Sequence, residues 1–157
     1  PLNGCGYLTS GSLFHWGHFM TIGRPYSRPL DQLRSVGLRP TRQRLALAKL
    51  LFNGNNRHVT AEMLHTEARN AQVQVSLATI YNTLHQFTGV GLLREIVVDS
   101  GYSYFDTNTT THHHFYCQDS SELMDIDGSE IQISHLPKPP SGMKVARVEV
   151  IVRIKSS

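Results

Sequence analysis

Residues 75–87, Val75-Ser76-Leu77-Ala78-Thr79-Ile80-Tyr81-Asn82-Thr83-Leu84-His85-Gln86-Phe87, decide how this chain folds. Leu77, Ile80, Leu84 and Phe87 share one face of a helix, which leaves Thr79, Tyr81, Asn82, Thr83 and Gln86 for the other faces. Ser76 begins the helix, and Gly89 and Gly91 stop it. Two further helices precede it. Pro40-Thr41 opens the first, with Thr41 as N-cap and Leu45, Leu47, Leu50 and Leu51 on its apolar face, and Asn53-Gly54-Asn55-Asn56 ends it. Thr60 caps the second, where Ala61, Leu64 and Ala68 recur at helical spacing. After the third helix, Leu92–Val98 and Tyr102–Phe105 flank the turn residues Asp99-Ser100-Gly101 and read as a hairpin.

Three short helices and a hairpin describe a winged helix-turn-helix, whose last helix enters the major groove of DNA. Ser76, Thr79, Tyr81, Asn82 and Thr83 offer hydroxyl and amide groups, without a carboxylate, to read base edges. Arg39, Arg42 and Arg44, around the start of the first strong helix, are placed to hold phosphates and fix the register. Charge agrees with this. The chain carries only +3 overall, yet residues 29–57 hold six basic side chains against Asp31 alone, whereas residues 112–157 are nearly balanced. A local basic cluster of this kind favours a polyanionic partner.

The flanking zones differ in character. Residues 1–27 are rich in Gly and Ser with no sustained period and read as a flexible arm, in which His15 and His18 are expected to face solvent. Residues 28–106 form the winged-helix DNA-binding domain and residues 107–157 a small second domain. In the latter, His112–Gln118, Glu122–Ile126 and Ala146–Ile154 read as strands, broken by Asp127-Gly128 and by the stretch Pro137 to Gly142. Such a small sheet is marginal alone, so a homodimer, or a higher oligomer built from it, is expected. No stretch is apolar enough to span a membrane, which places the chain in the cytoplasm. Cys5 and Cys117 lie too far apart in sequence to suggest a disulfide framework or a multi-cysteine zinc site.

The succession Gly37-Leu38-Arg39-Pro40-Thr41-Arg42-Gln43-Arg44, His58-Val59-Thr60-Ala61-Glu62 and Val75 to Leu84 resembles the ferric uptake regulator family. Gly91-Leu92, Tyr104-Phe105-Asp106 and His112-His113-His114-Phe115-Tyr116-Cys117 continue the resemblance, which spans about residues 30–155. It implies an α+β protein with an N-terminal winged helix-turn-helix domain, a C-terminal α/β dimerisation domain, and binding to a pseudo-palindromic operator in double-stranded DNA under metal control.

The histidines carry the chemistry. On an extended strand His112 and His114 project to one face while His113 points away. Asp106 and Asp125 can add oxygen ligands, and His58 completes a set of three imidazoles and two carboxylates. A mixed nitrogen and oxygen shell of this kind suits Fe(II), Mn(II) or Zn(II). The resemblance supports these five positions, because the family's regulatory site, above all in its peroxide-sensing branch, has a His, an Asp, an HxH pair and an Asp at matching spacing.

Departures from the common family pattern narrow the expectation. Members commonly hold a structural zinc with two Cys-x-x-Cys pairs. Here Cys117 is followed by Ser120 and no second pair is present, so no structural zinc held by four cysteines is expected. Val148 stands where many members have another metal-binding histidine. The three successive histidines and Ile133 to Pro140 resemble the iron response regulator subgroup of alphaproteobacteria. That likeness implies haem as effector, with His112, His113 and His114 as candidate haem ligands, and haem-synthesis and iron-uptake genes as targets. The subgroup's N-terminal Cys-Pro element is replaced by Cys5-Gly6. A peroxide- or manganese-responsive regulator shares the same ligand set. A metal-dependent hydrolase is the alternative from another class, but no positioned general base or substrate pocket is visible and no enzyme is expected.

Overall fold

The computed structural model describes residues 27–99 and 101–156. The expected arm over 1–27, with Cys5, His15 and His18, therefore lies outside the described residues except for Ser27. The helices are α1 (Ser27–Ser35), α2 (Arg42–Phe52), α3 (Ala61–Asn70) and α4 (Leu77–Gly89). The strands are β1 (His58–Val59), β2 (Arg94–Asp99), β3 (Tyr102–Asp106), β4 (His112–Cys117), β5 (Glu122–Asp127) and β6 (Ile151–Ile154). Each cap read from the sequence is made. The hydroxyl oxygens of Thr41, Thr60 and Ser76 accept from the backbone N–H of Arg44, Met63 and Thr79 at 3.2, 3.2 and 3.1 Å, satisfying donors that the first turn leaves orphaned.

Two elements were not expected from the sequence. Helix α1 precedes the three helices that periodicity indicates and sends Leu33, fully buried, into the helical core. Strand β1 is a two-residue strand on the inner side of the wing, so the hairpin becomes a three-stranded sheet in the order β1-β3-β2. The last strand is also shorter than expected over 146–154. The ladder with β4 begins at Ile151, because the Val150 N–H donates to His113 Nδ1 at 3.3 Å while its carbonyl accepts from the His114 N–H.

Strands β4, β5 and β6 form a second sheet in the order β5-β4-β6, with β5 antiparallel and β6 parallel to β4. Gly128 sits where the chain leaving β5 passes the start of β4. A Cβ there would lie 2.9 Å from the Thr111 carbonyl oxygen, so the close approach requires glycine. Among the described residues no helix is long and apolar enough to cross a membrane.

Two apolar clusters hold these parts together. The first joins all four helices with Val59, Leu93 and Phe105, and includes Leu47, Leu64, Ile80, Leu84 and Phe87. The second joins the two sheets: Ile96, Val98 and Tyr104 of the wing pack with Tyr116 and Leu123 of the second sheet, against Ile151. Polar ties reinforce that contact. The Tyr104 hydroxyl donates to the Ser121 carbonyl at 2.5 Å, and the Arg153 guanidinium donates to the Val98 carbonyl. The inner face of the wing is thus covered by the second sheet.

Candidate metal centre

Strand register places the ligands in pairs. His58 on β1 lies opposite Asp106 on β3, and His114 on β4 lies opposite Asp125 on β5. His112, two residues before His114, shares its face as alternation requires. The two sheets bring both pairs together, so one ligand atom from each of His58, Asp106, His112, His114 and Asp125 lies within 4.8 Å of every other. His58 Nε2 is 2.9 Å from Asp125 Oδ1, His112 Nε2 is 2.9 Å from Asp106 Oδ2, and the Nε2 atoms of His112 and His114 are 3.0 Å apart. Ligands about 2.1 Å from a common ion and at right angles to each other lie about 3.0 Å apart, so these separations are compatible with a shared ion as well as with direct polar contact.

Burial makes the arrangement costly without a cation. Asp106, His112 and His114 are buried, and Asp106 Oδ2 and His58 Nε2 are enclosed with no hydrogen-bond partner, the close approach of His58 to Asp125 being badly angled for one. Burial pushes the His58 imidazole below its ordinary pKa, and the nearby Asp106 and Asp125 charges oppose this without overcoming it. Its lone pair is therefore available at neutral pH. For Asp106, burial works to raise the pKa, but His114, the Asn108 backbone N–H, His58 and His112 together hold the carboxyl below the ordinary range. His114 Nε2 stands 3.6 Å from Asp106 Oδ2, too long for a hydrogen bond, so its pull is electrostatic. The residues present fit a divalent ion with nitrogen and oxygen preference.

Asn108, which sequence reading missed, aims both carboxylates. Its backbone N–H donates to Asp106 Oδ1 at 2.7 Å and its side-chain amide to Asp125 Oδ2 at 3.1 Å, leaving the other oxygen of each to face the histidines. Arg94 and Glu149, also missed, stand behind the histidines. Arg94 is buried, and alternation along β2 puts it on the inward face with Ile96 and Val98. A charge on an otherwise apolar face is the signal that marks it.

The residues expected at the DNA face differ in exposure. Ser76, Tyr81 and Asn82 are exposed on α4 and Thr79 is half-buried, with its hydroxyl 2.8 Å from that of Ser76. Thr83 departs from that face. It is buried, and its hydroxyl donates to the Thr79 carbonyl, because its position turns toward the α4 core stripe. The Tyr81 hydroxyl donates to Glu62 Oε1 at 2.7 Å. Arg39 and Arg42 are exposed, whereas Arg44 spends its donors on Gln86 Oε1, at 3.1 and 2.7 Å, and on the Arg39 carbonyl, fastening α2 to α4.

Residues 35–153 match the sequence model of the Ferric uptake regulator family. The chain is 30% identical over 106 residues, 68% of its own length and 70% of the relative's, to the peroxide-responsive repressor PerR of Staphylococcus epidermidis. It is 32% identical over 103 residues, 65% of its length and 77% of the relative's, to the ferric uptake regulation protein of Pseudomonas aeruginosa. The fold is similar to a solved ferric uptake regulator from Pseudomonas aeruginosa with manganese, with a TM-score of 0.65 at 24% identity, covering 82% of this chain and 97% of that one.

Proposed function

This chain belongs to the ferric uptake regulator family, and from that premise we propose that it is an iron-responsive repressor that acts in the cytoplasm as a homodimer on a pseudo-palindromic operator. Members of the family are metal-responsive transcription regulators, not enzymes, and this chain is one of them. The observation that carries the finer reading is the convergence of five nitrogen and oxygen ligand atoms from two sheets. His58 and Asp106 belong to the sheet of the wing, and His112, His114 and Asp125 to the second sheet. Fe(II) or Mn(II) bound there supplies positive charge that offsets both carboxylates and draws on three imidazole lone pairs. The five side chains then tie β1 and β3 to β4 and β5. Phe105 of β3 packs with the helices, so α4 takes a fixed bearing relative to the second sheet. In a dimer that bearing sets the spacing of two reading helices, with Ser76, Thr79, Tyr81 and Asn82 toward the bases and Arg39 and Arg42 toward phosphates. Exposed apolar side chains after residue 114, among them Phe115, Met124, Leu136 and Met143, support a second copy covering this region.

The likeness to the iron response regulator subgroup adds haem as effector and genes of haem synthesis and iron uptake as targets. Haem does not fit the packed arrangement described above. His112 and His114 face carboxylates, His113 Nδ1 accepts from Val150, and all three rings are buried, so the haem reading rests on the resemblance. A peroxide- or manganese-responsive regulator is the second reading, favoured by the ligand set of three His and two Asp and by the similarity to the staphylococcal peroxide-responsive repressor.

The test uses DNA selected by the protein from a random pool. Metal-free, Fe(II)-, Mn(II)- and haem-loaded samples are titrated against the selected duplex and against random DNA. Metal loading is expected to change affinity for the selected duplex by about tenfold or more, within the usual range of allosteric coupling. Equal affinities in all four states would overturn the reading. Peroxide treatment of the Fe(II)-loaded sample followed by mass spectrometry separates the peroxide-responsive reading, which requires oxidation of His58, His112 or His114.

A further inference from the structure

We propose that Arg94 and Glu149 form an outer pair that fixes the ring tautomers of His112 and His114 and sets the metal affinity of the site from opposite directions. The proposal deepens the metal reading above and rests on it. Arg94 NH1 donates to the Thr110 carbonyl at 2.8 Å and lies 3.0 Å from His112 Nδ1, while NH2 is paired with Glu149 Oε1. The same Glu149 oxygen is 3.8 Å from His114 Nδ1, a buried nitrogen with no hydrogen-bond partner. Arg94, Glu149 and the two imidazoles thus make a closed circuit, completed by the 3.0 Å contact between the two Nε2 atoms.

One proton arrangement satisfies Glu149, Arg94 and the contact between the rings together, and it leaves the His112 Nδ1 lone pair 2.9 Å from the Thr110 carbonyl, with Arg94 NH1 against both atoms. A bare lone pair at His114 Nδ1 would face a carboxylate, whereas an N–H there is attracted to it, so the proton sits on Nδ1 and Nε2 is bare. The contact between the rings then requires His112 Nε2 to donate to His114 Nε2. His112 Nδ1 is consequently bare and accepts from Arg94. His114 is therefore already in the tautomer that offers Nε2 to a metal, and Glu149 holds it there. His112 is in the other tautomer, and Arg94 holds it there. For His112 to become a ligand, one proton leaves Nε2 and one is taken up at Nδ1, with no net change. The Thr110 carbonyl, 2.9 Å from that nitrogen, receives the new N–H, and Arg94 loses its bond to the ring. Charge acts in the same sense, since the guanidinium repels a divalent ion and the carboxylate attracts it.

Opposite signs distinguish this role from that of a simple structural ion pair, in which removing either partner does similar damage. Mn(II) binding to the full chain is measured by calorimetry for the wild type, Glu149→Ala, Arg94→Met and His114→Ala. Glu149→Ala is expected to weaken binding by about 10- to 100-fold, as loss of outer-sphere partners of metal-bound histidines does. Arg94→Met is expected to tighten it. If Glu149→Ala misfolds because it strands the Arg94 charge, Glu149→Gln keeps an acceptor for the guanidinium and carries the same test, with a loss in the same direction. Nitrogen NMR of the metal-free histidine rings supplies a second readout. In the wild type it should find His114 protonated at Nδ1 and His112 at Nε2, and Arg94→Met should move His112 toward the Nδ1 form. Weakening by both variants, or no change in either, would overturn the pair's role while leaving the metal site intact. Unchanged Mn(II) affinity in His114→Ala would overturn the site itself, and the pair's role with it.

Discussion

The helical half of the molecule and the junction of its two sheets are both well buried, but with different chemistry. Around the helices the core consists of Leu, Ala, Ile, Val and Phe side chains, and among the described residues Thr83 is the single buried polar one there, satisfied by a carbonyl of its own helix. At the junction, Arg94, Asp106, His112, His113 and His114 are buried together, and several of their polar atoms have no hydrogen-bond partner. The first region rests mainly on apolar burial, helped by ties such as that of Arg44 to Gln86. The second buries charge and leaves polar groups unsatisfied, so its stability depends on what occupies it. A regulator needs this division, with a reading head of fixed shape joined to the rest of the chain by a contact whose strength a ligand can change.

Loss of apolar packing among the helices should cost the most stability. Phe87→Ala removes a fully buried ring from the contact between α4 and the helices around it and should cost about 3–5 kcal/mol, as large-to-small changes in cores do. Chemical denaturation should show this loss in the presence and absence of Mn(II) alike. A Phe87→Ala loss that Mn(II) restores would mean that the two regions are not energetically distinct.

At the junction of the sheets, stability should depend on metal. An ion that binds only the folded state stabilises it by about 2.7 kcal/mol at a free concentration 100 times its dissociation constant. Wild-type protein should gain this much thermal stability with Mn(II), and Asp106→Asn should lose most of the gain. Asparagine keeps an oxygen for the Asn108 N–H, so the metal-free variant should fold and melt below the metal-free wild type only by what the ionised carboxylate contributes. An undiminished Mn(II) gain in Asp106→Asn would remove Asp106 from the site.

How much of this was legible in the sequence follows the same division. The helices of the core were readable because apolar period and capping residues report directly on a hydrophobic stripe, as at Thr41, Thr60 and Ser76. Helix α1 escaped because a nine-residue element with two leucines carries little periodic signal, and Leu33 acquires its role only from the helices that cover it. The five side chains that converge between the sheets were picked out by residue type, strand alternation and family resemblance. Their supports were not, because Asn108, Arg94 and Glu149 are separated by up to 55 residues and meet only through the packing of one sheet on the other. Thr83 was misplaced for a related reason: its hydroxyl looks exposed in a helical pattern, yet the side chain is polar only toward its own backbone.

The smallest expected effect is on pH dependence of the metal-free protein. His58 has a folded pKa below its ordinary value of about 6.5, so its contribution to stability is present above that value and is lost as pH falls through the lowered one. Asp106, also lowered, adds a loss of the same sign further down, below the ordinary carboxylate range. Thermal melts between pH 7.5 and pH 5 should therefore fall in the wild type and fall less in His58→Gln. Identical profiles would show that His58 is not held neutral by burial.

If the cluster between the sheets transmits metal binding to the DNA face, DNA affinity and metal binding are linked through His112 and His114. Affinity for the selected duplex is determined for the wild type and for His112→Ala combined with His114→Ala, each with and without Mn(II). The wild type is expected to change affinity about tenfold or more on Mn(II) loading, and the double variant to keep the metal-free affinity but no longer respond. A double variant that responds to Mn(II) as the wild type does would contradict that linkage.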